Sequence, residues 1–205
     1  MLTYTLDNVP MLPFYIQEED PPAKREILRA AMKLFSRHGL AATTIRDIAD
    51  ESGYTNPALY KHFSSKDELA LYLFETCHRR LWTKCHAAIV AANSFDAKLE
   101  GYISQILELF DEDPEAMAFL SDSARVLWPL AGPAVRRHTM IDLARSLMTS
   151  APRRRGSKSS VDVAAASLQG TLAELARMIQ VGDVPGPAAR WKAELVGLFR
   201  KIATG

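Results

Sequence analysis

The chain has 205 residues, of which 48% are hydrophobic, with two cysteines and a formal net charge of +1 at pH 7. A chain of this length buries roughly 70% of its unfolded surface, so a stable core requires neither a metal nor a disulfide. No apolar run approaches the ~20 residues of a membrane span, and the first residues lack the pattern of a signal peptide, which predicts a soluble, cytoplasmic protein with no membrane partner.

The first 22 residues carry four acidic side chains and no basic one, and they show no sustained helical or strand period. We expect residues 1–22 to form an extended or disordered arm. The following segment, residues 24–66, has eight lysine and arginine residues against four acidic ones, a local net charge of +4. The basic excess of the chain therefore lies in this segment, where it favours contact with nucleic acid.

A first amphipathic helix is predicted over residues 23–38, because Ile27, Ala31 and Phe35 recur at helical spacing. Gly39 is suited to end that helix. The predicted helix presents its basic side chains on the other faces, and its apolar face is available to pack against the next two helices.

Residues 44–63 have the pattern of a helix-turn-helix. Thr44 and Asp47 are spaced as a capping-box pair at the start of a short helix. Gly53 permits the positive φ of a sharp turn, and we expect the Thr55 hydroxyl to cap the helix that follows. Two short helices with separate start signals are thus predicted on either side of one turn.

The second short helix, residues 55–62, has an apolar side formed by Leu59 and Phe63. Its other faces carry donors, a cation and small residues: Asn56, Ala58, Lys61 and His62. A helix with one buried side and one side of hydrogen-bonding groups is typical of those that enter the DNA major groove.

A long helix is predicted over residues 66–92, with Ser65 and Glu68 spaced as a second capping box. At about 1.5 Å per residue it would extend about 40 Å, which is long enough to connect the helix-turn-helix to a second domain.

These residues resemble the TetR family of bacterial transcriptional regulators. The resemblance rests on Gly39, on the run Thr-Thr-Ile-Arg-Asp-Ile-Ala at residues 43–49, on Gly53, on Leu-Tyr-Lys-His-Phe at residues 59–63, and on Ser-Lys-Asp-Glu-Leu at residues 65–69. It implies an all-α fold of about nine helices. An N-terminal three-helix DNA-binding domain with the helix-turn-helix, residues 23–66, would precede a larger helical ligand-binding and dimerisation domain, residues 67–205.

The helix pattern and the resemblance together indicate the residues that contact double-stranded DNA. We expect base contacts from Asn56, Ala58 and Lys61, with the Pro57 ring against a thymine methyl, and phosphate contacts from Thr43, Thr44, Tyr60, His62 and Lys66. Thr55 lies at the start of the same helix. Arg46 is suited to a DNA contact or, alternatively, to an ion pair on its own helix.

Beyond residue 75 the chain reads as further helices over residues 94–110, 114–128, 133–148, 161–181 and 187–202, with a basic loop at 151–160. Candidates to line a cavity for a small, mostly apolar effector with a polar group are Trp82, His86, Tyr102, Ile106, Met117, Phe119, Leu120 and Trp128. The resemblance implies that the last two helices form a homodimer interface, with Leu168, Leu172, Leu175, Ile179, Trp191, Leu195, Leu198, Phe199 and Ile202 as candidates. Alternatively, these stripes complete the core of each protomer.

Two Cys-His pairs, at residues 77–78 and 85–86, suggest a metal site at first sight. They lie eight residues apart on one predicted helix, about 12 Å along its axis, whereas zinc bonds to sulfur and nitrogen are about 2.0 to 2.3 Å. We therefore expect no metal and no cofactor. The chain also has no Walker loop, GxSxG or HExxH motif, so no catalytic residue and no enzymatic activity are predicted.

The sequence thus predicts a DNA-binding transcriptional regulator, specifically a homodimeric repressor released from a palindromic operator by a small effector. The alternative is a DNA-bound helix-turn-helix regulator that acts on a protein partner without a small-molecule inducer.

Overall fold

The computed structural model describes residues 12–152 and 160–205, and within them it contains no strand. They form nine α-helices of five residues or more, one helical turn of four residues and two 3₁₀ turns, at Trp128–Leu130 and Ala188–Trp191. In chain order the α-helices are α1 Pro22–Ala42, α2 Ile45–Ser52, α3 Asn56–Tyr60, α4 Lys66–Ala91, α5 Phe95–Glu112, α6 Pro114–Leu127, α7 Pro133–Arg136, α8 Met140–Thr149, α9 Val161–Gln180 and α10 Lys192–Thr204. The all-α prediction is confirmed for the described residues.

The first three helices form the expected helix-turn-helix. Gly39 interrupts α1 with a φ of 80°, so its regular part ends there and one further turn follows. The capping box of α2 is complete, because the Thr44 side chain accepts from the Asp47 amide and the Asp47 carboxylate accepts from the Thr44 amide. Gly53 ends α2 with a φ of 73°, a conformation that disfavours side chains with a Cβ.

The expected hydroxyl cap of α3 is wrong. Thr55 lies at the N-cap position, but its side chain makes no capping hydrogen bond. Pro57 has no N–H to donate, and the Ala58 amide donates to the Thr55 carbonyl oxygen at 2.9 Å instead of to the hydroxyl. The helix is accordingly short, and it is held in place by packing of Leu59 rather than by its own cap.

The long helix α4 connects the two parts of the fold. It contacts α1 of the first part and α5, α6 and α8 of the second, and its buried residues extend from Leu69 and Leu73 near its start to Cys85 near its end. The Ser65 hydroxyl caps it by accepting from the Glu68 amide at 3.1 Å. The Glu68 carboxylate accepts from the Ser64 amide rather than from that of Ser65, so only half of the predicted capping box is present.

Two helices of the second domain differ from their predicted bounds. The predicted helix over residues 133–148 is two helices, α7 and α8, because Thr139 starts a new one by accepting from the Asp142 amide at 2.9 Å. The helix predicted from residue 187 begins as the 3₁₀ turn Ala188–Trp191 before α10. In the described part of the chain, no helix has the length and apolar character needed to cross a membrane.

Residues 12–20, which we call the N-terminal strap, are not the extended or disordered arm that was expected. Tyr15 is 5% exposed and Ile16 is fully buried. The Phe14 amide donates to an Asp113 oxygen at 3.1 Å, and Arg80 donates to the Phe14 carbonyl at 2.7 Å. The strap consists of turns, so its sequence shows no helical or strand periodicity. Its hydrogen-bond partners are distant in the chain, so no sequence pattern indicated them. Residues 1–11 of the predicted arm lie outside the described residues.

The strap yields a prediction about stability. Substitution of Ile16 by Ala should lower the free energy of unfolding by about 2 to 5 kcal/mol, because it leaves a cavity in a closed core. Glu19→Ala, an exposed change in the same segment, should stay within about 0.5 kcal/mol of wild type. Chemical denaturation measures both, and an unchanged midpoint for Ile16→Ala would mean that the strap does not belong to the core.

Candidate nucleic-acid interface and interior cavity

The outer surface of α3 is the first candidate site. Asn56, Pro57 and Lys61 are exposed, while Leu59 and Phe63 are buried on the opposite side. The Phe63 ring packs at 5.4 Å from the ring of Tyr72 on α4, between ring centroids. Packing on one side thus presents the polar side chains outward on the other. Ala58 and His62 are half-buried at the edge of this surface.

The start of α2 lies beside α3 in the helix-turn-helix and adds further donors. Thr44 is exposed, and its hydroxyl donates to an Asp47 oxygen at 2.7 Å. This hydroxyl and the Thr44 amide lower the pKa of Asp47. Arg46 is 84% exposed on its side chain and only 4.0 Å from Asp50, a loose pairing that leaves the guanidinium available. Tyr60 is also exposed. We call the exposed residues Thr44, Arg46, Thr55, Asn56, Pro57, Tyr60 and Lys61 the α3 surface.

Thr43 does not belong to the α3 surface, contrary to the sequence-based expectation. Its side chain is buried, and its hydroxyl donates to the Gly39 carbonyl oxygen at 2.9 Å. The hydroxyl therefore satisfies a backbone carbonyl at the end of α1 and is not available to a phosphate. Of the two adjacent threonines, Thr43 is therefore internal and Thr44 lies on the surface.

Lys66 also has an internal role that the sequence did not indicate. Its ammonium donates to the carbonyl oxygens of Leu40 at 2.6 Å and Thr43 at 2.8 Å. Since an ammonium has three N–H donors, two of them are used to join the start of α4 to the segment between α1 and α2. The expected phosphate contact is replaced by this anchoring role, which requires the compact charge and long stem of lysine.

The second candidate site is a cavity of about 290 Å³ in the helical domain, close to the lower end of the range of known ligand pockets. We call it the interior cavity, and it opens at the surface near Ser121 and Ala173, which are exposed. Among the described residues no charged side chain lines it. Its lining is mostly aromatic and aliphatic, with a few neutral polar groups: Phe74, His78, Leu81, Ile106, Phe110, Met117, Leu120, Ser121, Ala124, Trp128, Thr139, Met140, Ile141, Gln169, Leu172 and Ala173.

Four of the eight predicted cavity residues line this space, namely Ile106, Met117, Leu120 and Trp128. Tyr102 is fully buried behind it, with its hydroxyl accepting from the Gln169 amide. The Gln169 amide also donates to the Met140 carbonyl at 3.2 Å, so Tyr102 positions a residue of the wall.

Phe119, Trp82 and His86 are wrong as residues of the interior cavity. Phe119 stacks on Phe35 of α1, with ring centroids 5.8 Å apart, and so fills the junction between the domains. Trp82 and His86 stack on each other at 4.5 Å on a different face of α4. A helical residue can face any of several neighbours, and sequence spacing alone does not decide which.

His78, which sequence reasoning considered only for a metal, is part of the cavity wall. It packs between Phe74, at 6.2 Å, and Trp128, at 5.2 Å, measured between ring centroids. Burial, assisted by the nearby His138, lowers the pKa of His78 to about 4. The imidazole is therefore neutral at pH 7, when it can both donate and accept a hydrogen bond. The described residues contain no group of three side chains able to hold a metal ion.

The low pKa of His78 makes stability depend on pH. Between pH 6.5 and 4 the unfolded chain binds a proton at this residue that the folded chain does not, so stability falls as the pH falls. The loss of unfolding free energy from pH 7 to pH 5 should be smaller by about 2 kcal/mol in His78→Gln than in wild type.

Denaturant titrations at pH 7 and pH 5 measure this difference. The control is Ala87→Ser, an exposed change on the same helix, which removes no titratable group and should leave the pH dependence as in wild type. Identical losses in His78→Gln and wild type would contradict the assignment.

The predicted dimer residues on α9 and α10 divide into two groups. Leu168, Leu172, Leu195 and Phe199 are buried within the protomer, so they have almost no surface left to bury against a partner. Their assignment to an interface is wrong, and the alternative of a protomer core applies to them. Leu175, Ile179, Trp191 and Ile202 are half-buried, and Leu198 is 44% exposed.

A different face of α9 remains open. Val163, Ala166 and Gly170 are exposed and follow one another at helical spacing. A Cβ added to Gly170 would meet no atom within 4 Å, and the same holds for Gly197 of α10. Small residues of this kind allow the backbone of another helix to approach closely.

Comparison with known proteins agrees with these observations. Residues 27–73, which include the whole α3 surface, match the family described as bacterial regulatory proteins, tetR family. The transcriptional repressor KstR2 of Rhodococcus jostii is 32% identical over 104 residues, 51% of each chain. The regulator TtgR of Pseudomonas putida is 32% identical over 97 residues, 47% of this chain and 45% of that protein. The matched stretch thus spans about half the length of these relatives.

Solved structures extend the likeness in fold to nearly the whole chain. The ketosteroid regulator KstR2 of Mycobacterium tuberculosis superposes with a TM-score of 0.74 at 21% identity, covering 86% of this chain and 92% of that one. The regulator FadR of Bacillus subtilis, in complex with stearoyl-CoA, gives a TM-score of 0.65 at 17% identity, with 85% and 96% covered. At such identities the likeness concerns the fold.

Proposed function

We propose that this chain, which belongs to the TetR family of bacterial regulatory proteins, is a homodimeric transcriptional repressor that a small, mostly apolar effector releases from a palindromic operator. The α3 surface is the observation that carries the proposal. It combines exposed hydrogen-bonding groups with a rigid apolar attachment to α4. No assembly of titratable groups in the interior cavity supports a catalytic role instead, since its lining is neutral in the described part of the chain.

DNA recognition would use α3 as the helix that enters the major groove. Asn56 and Lys61 are exposed on it and can hydrogen-bond to base edges, with the ring of Pro57 against a thymine methyl. Thr44, Tyr60 and the half-buried His62 lie at positions suited to phosphates, and Arg46 is free enough to reach either target. Lys66 then acts as a positioning residue, because it ties α4 to the carbonyl groups that precede Thr44.

Dimerisation would place two copies of α3 in successive major grooves, about 34 to 36 Å apart. The open face of α9, with Val163, Ala166 and Gly170, supports close packing of a second copy there. Leu198 of α10 adds an exposed large apolar side chain. Glycine within a helix costs about 1 kcal/mol relative to alanine, and close helix packing is a physical reason for its presence at residue 170.

The switch would operate through α4, which belongs to both sites. Phe74, His78 and Leu81 of this helix line the interior cavity, while Lys66 anchors its other end to the helix-turn-helix. An effector that shifts α4 changes the separation of the two α3 surfaces, and a coupling of about 1 to 3 kcal/mol changes operator affinity 5- to 150-fold. KstR2 of Mycobacterium tuberculosis is a ketosteroid regulator, and FadR of Bacillus subtilis was solved in complex with stearoyl-CoA, which supports an apolar effector for this chain. The interior cavity favours this proposal over a regulator without a small-molecule inducer.

Selection of binding sites from random double-stranded DNA tests the proposal. We expect the purified protein to enrich one palindromic sequence. Asn56→Ala should lose about 1 to 3 kcal/mol of discrimination between the enriched and a random sequence, as measured by anisotropy titrations with both DNAs.

Gln105→Ala is the control, because its amide is engaged with Glu108 on α5, away from the α3 surface. The base-reading role of Asn56 is refuted if Asn56→Ala weakens binding to both DNAs equally. Failure of the protein to enrich any sequence would refute the proposed function itself.

The dimer face yields a further prediction. Gly170→Arg should convert a dimer to a monomer without unfolding it, because the added side chain meets open space in the protomer but would obstruct a second α9. Sedimentation velocity measures the mass, and circular dichroism checks the helix content. Ala87→Arg, an exposed change on α4, should remain dimeric. A dimeric Gly170→Arg would place the interface elsewhere.

A further inference from the structure

A surface groove of about 320 Å³ lies beside the interior cavity and is not used by the proposed mechanism. Its two walls come from α4 and from the segment that includes α7. We call it the cationic groove, and its lining consists of His78, Arg79, Trp82, Thr83, Ala134, Val135, Arg137 and His138.

The groove concentrates positive charge that has no partner of opposite sign. Arg79 and Arg137 are exposed, and within residues 12–152 and 160–205 neither forms an ion pair. Arg79 makes only a long contact of 3.5 Å to the Thr76 hydroxyl. Among the described residues no carboxylate lines the groove. Arg137 and Arg79 thus both line a concave space in which a guanidinium can donate bidentate hydrogen bonds to an anion. Arg79 also borders a neighbouring space that contains Glu112 and Asp113.

Trp82 forms a rigid aromatic wall of the groove. Its ring lies 4.5 Å from that of His86, nearly parallel at 12°, and 4.5 Å from that of His138 on the opposite element. These contacts hold Trp82 in one orientation between α4 and the segment after α7. They also explain why Trp82 and His86, which were expected in an effector site, do not reach the interior cavity.

The groove and the interior cavity meet at His78, which lines both. Helix α4 and the segment after α7 contribute residues to both the groove and the cavity. Arg137 and His138 line the groove, and the next residues, Thr139, Met140 and Ile141, line the cavity. The lining therefore changes from mostly apolar side chains in the cavity to cationic ones in the groove, and the neutral imidazole of His78 belongs to both.

We propose that the effector is an apolar anion, whose hydrocarbon body occupies the interior cavity while its carboxylate or phosphate group binds Arg79 and Arg137 in the cationic groove. His78 lies at the neck between the two spaces, where it hydrogen-bonds to the polar atoms that connect the body to the anionic group. This inference rests on the proposed function in taking the interior cavity as the effector site. The inference adds that the effector is negatively charged. The neutral lining of the interior cavity does not by itself indicate a charge.

Three probes with the same ten-carbon chain test this proposal, namely decanoate, decyl phosphate and 1-decanol. Binding to the full-length protein is followed by tryptophan fluorescence and by calorimetry, without DNA. We expect both anions, or one of them, to bind at least roughly tenfold more tightly than the alcohol, since hydrogen bonds to charged groups are the stronger kind. The preferred anion identifies the head group.

Substitutions of single arginines test whether the preference for anions arises in the cationic groove. Arg137→Ala and Arg79→Ala should each weaken binding of the preferred anion by roughly tenfold at low salt and leave binding of 1-decanol unchanged. Arg136→Ala is the matched control, because its guanidinium donates to the Pro129 carbonyl oxygen and does not line the groove. This control should bind all three probes as wild type does.

Equal affinity for the alcohol and the anions would overturn the proposal, as would equal losses in Arg136→Ala and Arg137→Ala. Absence of binding by all three probes to the folded protein would overturn it as well. The probe measurements use no DNA, whereas selection of DNA sites tests the proposed function. Failure of the anionic-effector proposal is therefore distinguishable from failure of the proposed function.

Discussion

Helix α4 supplies packing surface to both parts of the chain, and the position of every other functional group depends on it. Near its start, Leu69 and Leu73 are buried, and Lys66 donates to the carbonyl oxygens of Leu40 and Thr43, just before α2. Farther along, Cys77 and Cys85 are buried among the helices of the second domain. A helix is stiff over such a length because each turn is hydrogen-bonded to the next. In the proposed switch, a displacement of α4 at the cavity would be transmitted toward the α3 surface.

The N-terminal strap adds a second connection along the same helix. Gln17 donates to the Tyr72 hydroxyl at 2.7 Å, and Arg80 holds the Phe14 carbonyl two turns later. Asp113, at the start of α6, accepts from the Phe14 amide and caps α6 by accepting from Ala116 at 3.0 Å. The strap thus joins α4 to α6, which supplies the opposite wall of the interior cavity. Movement of α4 relative to α6 has to be accommodated by these contacts.

The two spaces beside α4 differ in chemistry because they use different faces of the same helix. Phe74, His78 and Leu81 line the mostly apolar interior cavity, while Arg79 and Trp82 line the cationic groove beside α7. Burial lowers the pKa of His78, whereas Arg79 and Arg137 are exposed. An amphiphilic effector would match this division, and a neutral one would leave the arginines without a partner.

The local elements of the DNA-binding part could be predicted because their causes are local. The Thr44–Asp47 capping box, the positive φ of Gly53 and the apolar side of α3 at Leu59 each depend on residues within a few positions of one another. The same is true of the start of α4 at Ser65. The family resemblance also rests on residues of this segment. For the rest of the chain, the resemblance predicted the fold only as helical.

The sequence by itself determined the helices, the helix-turn-helix and the concentration of basic charge beside it. Only the tertiary structure decided that Thr43 and Lys66 hold backbone carbonyls, that Phe119 packs on Phe35, and that Leu168 and Phe199 belong to the protomer core. It also brought His78 to the cavity and Arg137 to the groove beside it. The physical reason is that helical periodicity specifies a face, whereas the partner of that face comes from residues distant in the chain.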